Sequence, residues 1–559
     1  MPFLGTQVRF VAFGDNFVSE AAHDVQPSSA GCMVGTRVGV LDRFITWPRD
    51  DPLSIFWLAG MAGTGKTSIA VSLCRALRND PDVLLGGGYF CSRSAGSIAR
   101  TDVRRILPTL AVLLASQSRE FAEPLFVQLN DDRRVAYKPV AEQIGPLFQR
   151  PLNTLAASSR PIVFLIDALD ECGNEREVAE LLRILADFQC ETKVKFIITS
   201  RPEMHIRGNP ISNPDHNTIL HLHTIGEEQV ASDIRLYIGN TLKDAVIEWT
   251  WYTEHDIELL VKLSGGLFIF ASTVLKYVID QDVDEGRKDR LRKVTSVATK
   301  RTVASNTIDK VYELVLKEAS RTDVVDADEL EEMGRIIACI LTARVSLSVE
   351  VLADLLELRP HTIRGSLRRL HSLIHVPSSD AEPGLQSLHA SFGDFMFERA
   401  PSYLHVIASY GHDVLALACL RRLGREDLCF NVSRSVSSFK SNLQTIPDWI
   451  PPSLIYACLH WAHHIDAASD CSAFDDGIGQ KFRPKFLFWL KVLSVIGKAS
   501  LASGLLRIAG SAVSWNGHRR FHRLILSQVQ QQDIAQFLRD ANAFVASSQT
   551  AINTSAPHI

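Results

Sequence analysis

The amino-acid sequence predicts a multi-domain α/β plus α protein, in which a parallel sheet comes first and helical domains follow it. Three observations carry that expectation. Five short apolar runs, at 54–60, 87–93, 161–167, 194–200 and 218–223, are interleaved with helical text, which is the order of a parallel sheet and its crossover helices. The run 161–167 ends in Asp167 and the run 194–200 is followed at once by Arg201, which puts both at the carboxyl edge where open parallel sheets bind ligands. Beyond residue 225 the pattern is amphipathic and helical, without a repeat at a period of about 40–45 residues.

Length and composition agree. At about 150 residues per domain, 559 residues make three or four domains, each large enough for its own core. With 46% hydrophobic and 22% charged residues the chain is globular, and 32 Gly and 23 Pro are too few for a fibrous or low-complexity protein. Lys and Arg number 59 against 63 Asp and Glu, a net charge of −4, so no basic excess is present to neutralise a phosphate backbone and nucleic acid is a poor partner. The ten cysteines form no CxxC pair, which favours free thiols in a reducing compartment. The N-terminus lacks a basic head followed by an apolar stretch, so a cytoplasmic location is expected. Lys491, Lys498 and Arg507 interrupt the apolar stretch 486–510, which leaves it short of the roughly 18 uninterrupted residues a membrane span needs.

The run 54–60 leads directly into Gly60-Met61-Ala62-Gly63-Thr64-Gly65-Lys66-Thr67, a complete GxxxxGK[ST] pattern followed by Ser68 and a helical face of Ile69, Ala70, Leu73, Cys74 and Leu77. Glycines there let successive backbone N–H groups turn inward around an anion, Lys66 adds a point charge at the β- and γ-phosphates, and Thr67 offers its hydroxyl to Mg²⁺. The run 161–167 ends in Asp167-Ala168-Leu169-Asp170-Glu171, the Walker B pattern, with Asp167 as the metal residue. Asp170 and Glu171 either polarise an attacking water, with Asp170 ahead, or serve as dipole-matching acids before a helix over 175–188. Arg201, directly after the run 194–200, either senses the γ-phosphate or is a solvated loop arginine.

The combination of 60–67, IDALDE at 166–171 and ITSRP at 198–202 resembles the NACHT-type P-loop NTPases of the STAND class, most closely the large fungal members. Further stretches are similar to that family: Cys32-Met33-Val34-Gly35-Thr36-Arg37 matches a lead-in whose arginine lies near the adenine, and Ser264-Gly265-Gly266-Leu267-Phe268 matches a helix start in which relatives carry proline at the Phe268 position. Leu388-His389-Ala390-Ser391-Phe392-Gly393-Asp394-Phe395 is similar to a motif whose histidine reaches the ADP β-phosphate, so the resemblance casts His389 as a latch; the residue-level alternative is a packing histidine. The resemblance implies a P-loop NTPase parallel sheet followed by helical and winged-helix domains and a C-terminal all-helical region. The expected boundaries are 1–33 for a short N-terminal segment, 34–225 for the NTPase, 226–330 for a helical domain with a charge-dense linker at 280–300, 331–400 for the winged helix, and 401–559 for the helical remainder.

Arg364, Arg368 and Arg369 read as a solvated helical face. His460, His463 and His464 share a helix that the family uses structurally, so no metal is assigned to them. The words at 551–559 resemble those that precede WD40 blades in relatives, and no blades follow. The resemblance implies ATP/ADP and Mg²⁺ as ligands and a signalling switch with slow hydrolysis that associates with itself or with related NACHT proteins, as in fungal self/non-self recognition. A non-catalytic, nucleotide-bound scaffold is the alternative, and a small-molecule kinase leaves the residues after the sheet without a task.

Overall fold

A computed structural model of the chain describes residues 17–23, 31–93, 98–132, 134–155, 160–213, 217–245, 251–279, 286–297, 307–320, 327–377, 384–400, 408–429, 450–469, 474–516 and 525–554. Most of the N-terminal segment, both ends of the 280–300 linker and the final residues 555–559 lie outside this set. The chain divides into two compact units, 1–314 and 315–559.

The first unit is built on five parallel strands: β1 (Ile55–Ala59), β2 (Leu84–Phe90), β3 (Ile162–Asp167), β4 (Val194–Ser200) and β5 (Thr218–His221), in the order β2-β3-β4-β1-β5. Every residue of β1, β3 and β4 is buried, which explains why they read as mainly apolar runs without a polar alternation. Helices cover both faces. On one side Phe44 of the helix Val38–Asp50 stacks on Phe56 at 3.9 Å between ring centroids, beside Ile69 and Leu73 of the helix Lys66–Arg78. On the other, Trp57, Tyr89 and Phe164 pack under the helices Ile106–Gln117 and Glu175–Ala186.

Strand β2 starts three residues before the apolar run that signals it and ends three residues sooner. Its glycines explain the displacement. A Cβ on Gly86 would lie 2.6 Å from Phe164 Cε1, and one on Gly87 would lie 2.9 Å from Leu113 Cβ, so the strand needs residues of low β-propensity to fit between its neighbours. After β5 the unit is helical, with Glu227–Ala245, Glu254–Ser264 and Phe268–Ile279; Thr253 and Asp256 close a reciprocal cap at the second of these, and Gly265 ends it at φ 54°.

In the second unit the helices Ala327–Thr342, Val349–Leu356 and Pro360–Leu367 precede an antiparallel pair, β6 (Ile374–His375) and β7 (Gln386–Ser387), and the short helix Ala390–Asp394. The longer helices Ala408–Leu423, Pro452–Ala467, Phe486–Val495, Ala502–Asn516 and Ile525–Thr554 follow. Their core holds Trp461, Phe482 and Trp489, and the buried Arg422 makes a two-pronged contact with Asp427 at 2.8 and 2.7 Å. His464 is enclosed there, with its ring nitrogens against the Tyr456 hydroxyl at 2.8 Å and His412 Nδ1 at 2.9 Å. Among the described residues no helix is long and apolar enough to cross a membrane.

Candidate functional site

Strand order sets the site. Because β4 lies between β1 and β3, with Ala59 opposite Ser200 and Ile166 opposite Ile198, the carboxyl ends of β1, β4 and β3 stand side by side. The glycine loop leaves β1, the acid turn leaves β3, and Arg201 leaves β4, so three separate segments of the chain meet at one edge.

The loop itself turns through Gly63 at φ 77° and Gly65 at φ 92°, left-handed values that L side chains rarely adopt. Gly63 is also packed closely: a Cβ there would meet Ile269 Cγ2 at 2.1 Å, and its carbonyl accepts the Ile269 N–H at 3.1 Å. Gly60 is similarly confined, with a Cβ 2.8 Å from Leu222 Cδ1 and from Thr64 Oγ1. Lys66 Nζ curls back to donate to the Gly60 and Met61 carbonyls at 2.7 and 3.0 Å, and burial pulls its pKa down against the opposing pull of Asp170 and Asp167. Thr67 is exposed and Ser68 half-buried at the start of the helix.

Asp167 is buried at the tip of β3. Its Oδ1 accepts the Thr199 hydroxyl at 2.6 Å, and that same hydroxyl accepts the Ala168 N–H at 2.9 Å. Desolvation raises the Asp167 pKa, while Thr199, Thr67 and Lys66 oppose the rise. Ala168 takes φ 53°, which turns the chain sharply into Leu169–Glu171 and separates the directions of the three acids.

Asp170 faces β4: it accepts the Arg201 N–H at 2.9 Å and pairs with Arg201 Nε at 3.2 Å. Glu171 turns instead toward the end of β2, where Oε2 accepts the Arg93 N–H at 2.8 Å, and burial raises its pKa. Arg93 also donates its guanidinium to the Asp170 carbonyl. The helix over 175–186 is capped by Asn174, whose side chain accepts from Arg176 and Glu177, so neither Asp170 nor Glu171 serves as its cap.

Arg37 approaches the loop from the other side. Its Nη2 donates to the Thr64 carbonyl at 3.1 Å, its guanidinium lies 4.9 Å from the Phe268 ring centroid, and its backbone N–H donates to the buried Asp233 at 3.2 Å. Nε and Nη1 are buried without a hydrogen-bond partner, and Nε stands 4.0 Å from the Asp233 carboxylate. His389 belongs to the second unit, where its Nδ1 caps the helix Ala390–Asp394 by accepting the Ser391 N–H at 3.0 Å.

The first unit thus brings together Gly60, Gly63, Thr64, Gly65, Lys66, Thr67, Ser68, Asp167, Asp170, Glu171, Arg201 and Arg37. Sequence reasoning passed over Thr199, Arg93 and Asp233. Thr199 stood within the quoted ITSRP word and Arg93 within an apolar run, but Asp233 is 196 residues from its partner and carries no local signal.

No curated protein matches the sequence. Solved structures align at low identity. A Signal Transduction ATPase with Numerous Domains (STAND) protein with a tetratricopeptide repeat sensor, from Pyrococcus horikoshii, is 14% identical at a TM-score of 0.35, and the alignment covers 91% of this chain and 64% of that one. The chain therefore spans somewhat under two thirds of that protein. A point variant of Thermotoga maritima RuvB is 16% identical at a TM-score of 0.24, covering 65% of this chain and 94% of that one. The Drosophila ORC structure bound to GC-rich DNA and Cdc6 is 12% identical at a TM-score of 0.22, covering 91% and 74%. Residues 37–201 match the family described as Nephrocystin 3, N-terminal. The segment of this chain that is similar to a described family therefore begins at Arg37, takes in the whole glycine loop and acid turn, and ends at Arg201.

Proposed function

We propose that the chain is a nucleotide-dependent switch of the STAND class, NACHT type, which binds ATP and ADP with Mg²⁺ and hydrolyses ATP slowly. The observation that carries this reading is the convergence of Lys66, Thr67, Asp167, Asp170 and Arg201 on adjacent strand ends. The side chains suit such a ligand. The Lys66 ammonium is held over the loop by two carbonyls and can exchange them for phosphate oxygens. The exposed Thr67 hydroxyl and the Asp167 carboxylate, which Thr67 helps to keep ionised, make a hard-oxygen pair suited to Mg²⁺. The unpartnered buried Nε and Nη1 of Arg37 are donors in want of an acceptor beside the loop.

In this reading Lys66 and the loop amides bind the phosphates, Thr67 and Asp167 hold the metal, and Asp170 orients a water while Arg201 senses the γ-phosphate through their ion pair. Bound Mg²⁺ supplies charge neutralisation at the phosphate oxygens. Residues 34–225 form the nucleotide domain, 226–330 the helical domain, 331–400 the winged helix, to which three helices and the β6–β7 pair lend support, and 401–559 the helical remainder. The resemblance assigns His389 to the ADP β-phosphate of the closed state, and it extends the proposal to self-association and to fungal self/non-self signalling. A non-catalytic scaffold is the second reading. It is favoured by the engagement of both acids, Asp170 with Arg201 and Glu171 with Arg93. Denaturing extraction of the purified protein, followed by mass identification of the released nucleotide, tests the proposal: ADP or ATP supports it, and absence of nucleotide together with no binding of added ATP removes it.

A further inference from the structure

Cys91 and Cys172 have no part in the nucleotide chemistry, yet they meet directly behind it. Cys91 follows β2 and donates its N–H to the Asp167 carbonyl at 3.0 Å, and Cys172 closes the turn that carries Asp170 and Glu171. Their Sγ atoms are 3.5 Å apart, and the residues are 4% and 2% exposed. Both are free thiols. We propose that the pair is a redox site, which a peroxide converts to an intramolecular disulfide that ties the end of β2 to the acid turn and slows nucleotide turnover. The last effect rests on the nucleotide reading, whereas the covalent link does not.

The geometry favours closure. A disulfide sets the sulfurs about 2.05 Å apart, so about 1.5 Å of approach is required, which side-chain rotation and a small backbone shift can deliver. Burial pushes the Cys91 thiol up, so the step begins when the turn opens to water: one thiol loses its proton, its sulfur attacks a peroxide oxygen, the O–O bond breaks, and the departing hydroxide takes up that proton, leaving a sulfenic acid and one water. The second sulfur attacks the sulfenic sulfur, the S–S bond forms, the S–O bond breaks and a second water leaves. Two thiols and one hydrogen peroxide give one disulfide and two waters, with two electrons passing to the peroxide. Burial makes the reaction depend on transient opening of the turn, so it is slow compared with oxidation of an exposed thiol.

The consequence for the acids follows from the bonds between the same two segments. Arg93, two residues beyond Cys91, donates its N–H to Glu171 at 2.8 Å and its guanidinium to the Asp170 carbonyl, and Asp170 in turn holds Arg201. Drawing the sulfurs together shifts the turn against β2 and displaces both carboxylates from the positions these bonds set.

The test uses the full chain treated with hydrogen peroxide, then alkylated and digested without reductant for mass spectrometry. Exposed Cys429 is the internal control for oxidant delivery. A Cys91–Cys172 linked peptide that disappears with dithiothreitol is expected, together with a fall of about tenfold or more in phosphate release from ATP, since a displacement near 1 Å at a reacting centre carries a loss of that order. Dithiothreitol restores the rate, and Cys91→Ala and Cys172→Ala both lose the response. Oxidation of Cys429 with no 91–172 link overturns the proposal, and a link that leaves phosphate release unchanged overturns its regulatory half. If the reduced protein releases no phosphate, the hydrolytic reading fails, while the linked peptide still decides the redox site.

Discussion

Replacing Thr199 by valine removes one hydroxyl while keeping nearly the same shape, so its effect isolates the bridge between β3 and β4. The hydroxyl gives a hydrogen bond to Asp167 Oδ1 at 2.6 Å and takes one from Ala168 N at 2.9 Å, and Thr199 is completely buried. Ala168 is locked at φ 53°, so its amide cannot turn to another acceptor. An orphaned buried N–H costs about 1–3 kcal/mol and a lost bond to a charged acceptor about 1.5–3 kcal/mol. The Asp167 carboxylate keeps support from Thr67 and Lys66, so the two losses do not add in full and the expected destabilisation is about 2–4 kcal/mol. At 1.4 kcal/mol per factor of ten, the open population of this region rises about 30-fold to nearly 1000-fold. Hydrogen exchange of peptides spanning β3 and β4 reads that population locally. Loss of the hydroxyl also removes a group that lowers the Asp167 pKa, so Mg²⁺-dependent nucleotide binding should shift to higher pH. Exchange within a factor of two of wild type in both strands would refute the claim that Thr199 holds the Asp167 carboxylate in place.

Three further outcomes follow from the same contacts. Arg37→Ala leaves Asp233 buried without its guanidinium and removes the bond to the Thr64 carbonyl; thermal unfolding should report a loss of about 3 kcal/mol, which shrinks when Asp233→Asn is added. Desolvation raises the folded-state pKa of Asp167 above its unfolded value of about 4, so its contribution to stability is fully present below that value and fades as pH rises through the folded pKa. The stability of Asp167→Asn relative to wild type, measured in unfolding scans without Mg²⁺, should therefore increase from pH 4 to 8, and a flat difference would contradict the assignment. Asp170→Asn frees Arg201 from its ion pair and should slow phosphate release more than it weakens nucleotide affinity; a larger effect from Glu171→Gln would reverse the roles of the two acids.

Much of the site was legible because its pieces are local. A buried strand, a glycine loop and an amphipathic helix stand consecutively at 55–78, and the acids of β3 lie within five residues of one another. Sheet order was not legible, since β4 lies between β1, whose residues precede it by more than one hundred positions, and β3, which is much closer in sequence; the β3–β4 pairing sets Thr199 against Asp167 and Arg201 against Asp170, and the β1–β4 pairing brings the glycine loop beside them. The apolar run 87–93 starts three residues after β2 begins, because Gly86 carries no apolar signal, whereas its close approach to Phe164 requires it within the strand. His389 shows the limit of a motif word: the sequence marks a histidine before a short helix, and the structure gives its Nδ1 a capping bond that the word does not contain.

The most direct test of the central claim is binding of a fluorescent ATP analogue to the wild-type chain and to Lys66→Ala, with and without Mg²⁺. Lys66 is the loop's cation, held by the Gly60 and Met61 carbonyls in a buried setting where a charge-assisted bond to phosphate is strong. The account predicts Mg²⁺-enhanced binding to wild type and loss of most affinity in the variant, with folding unchanged by hydrogen exchange in β1 and β4. Equal affinity in the two proteins would contradict it.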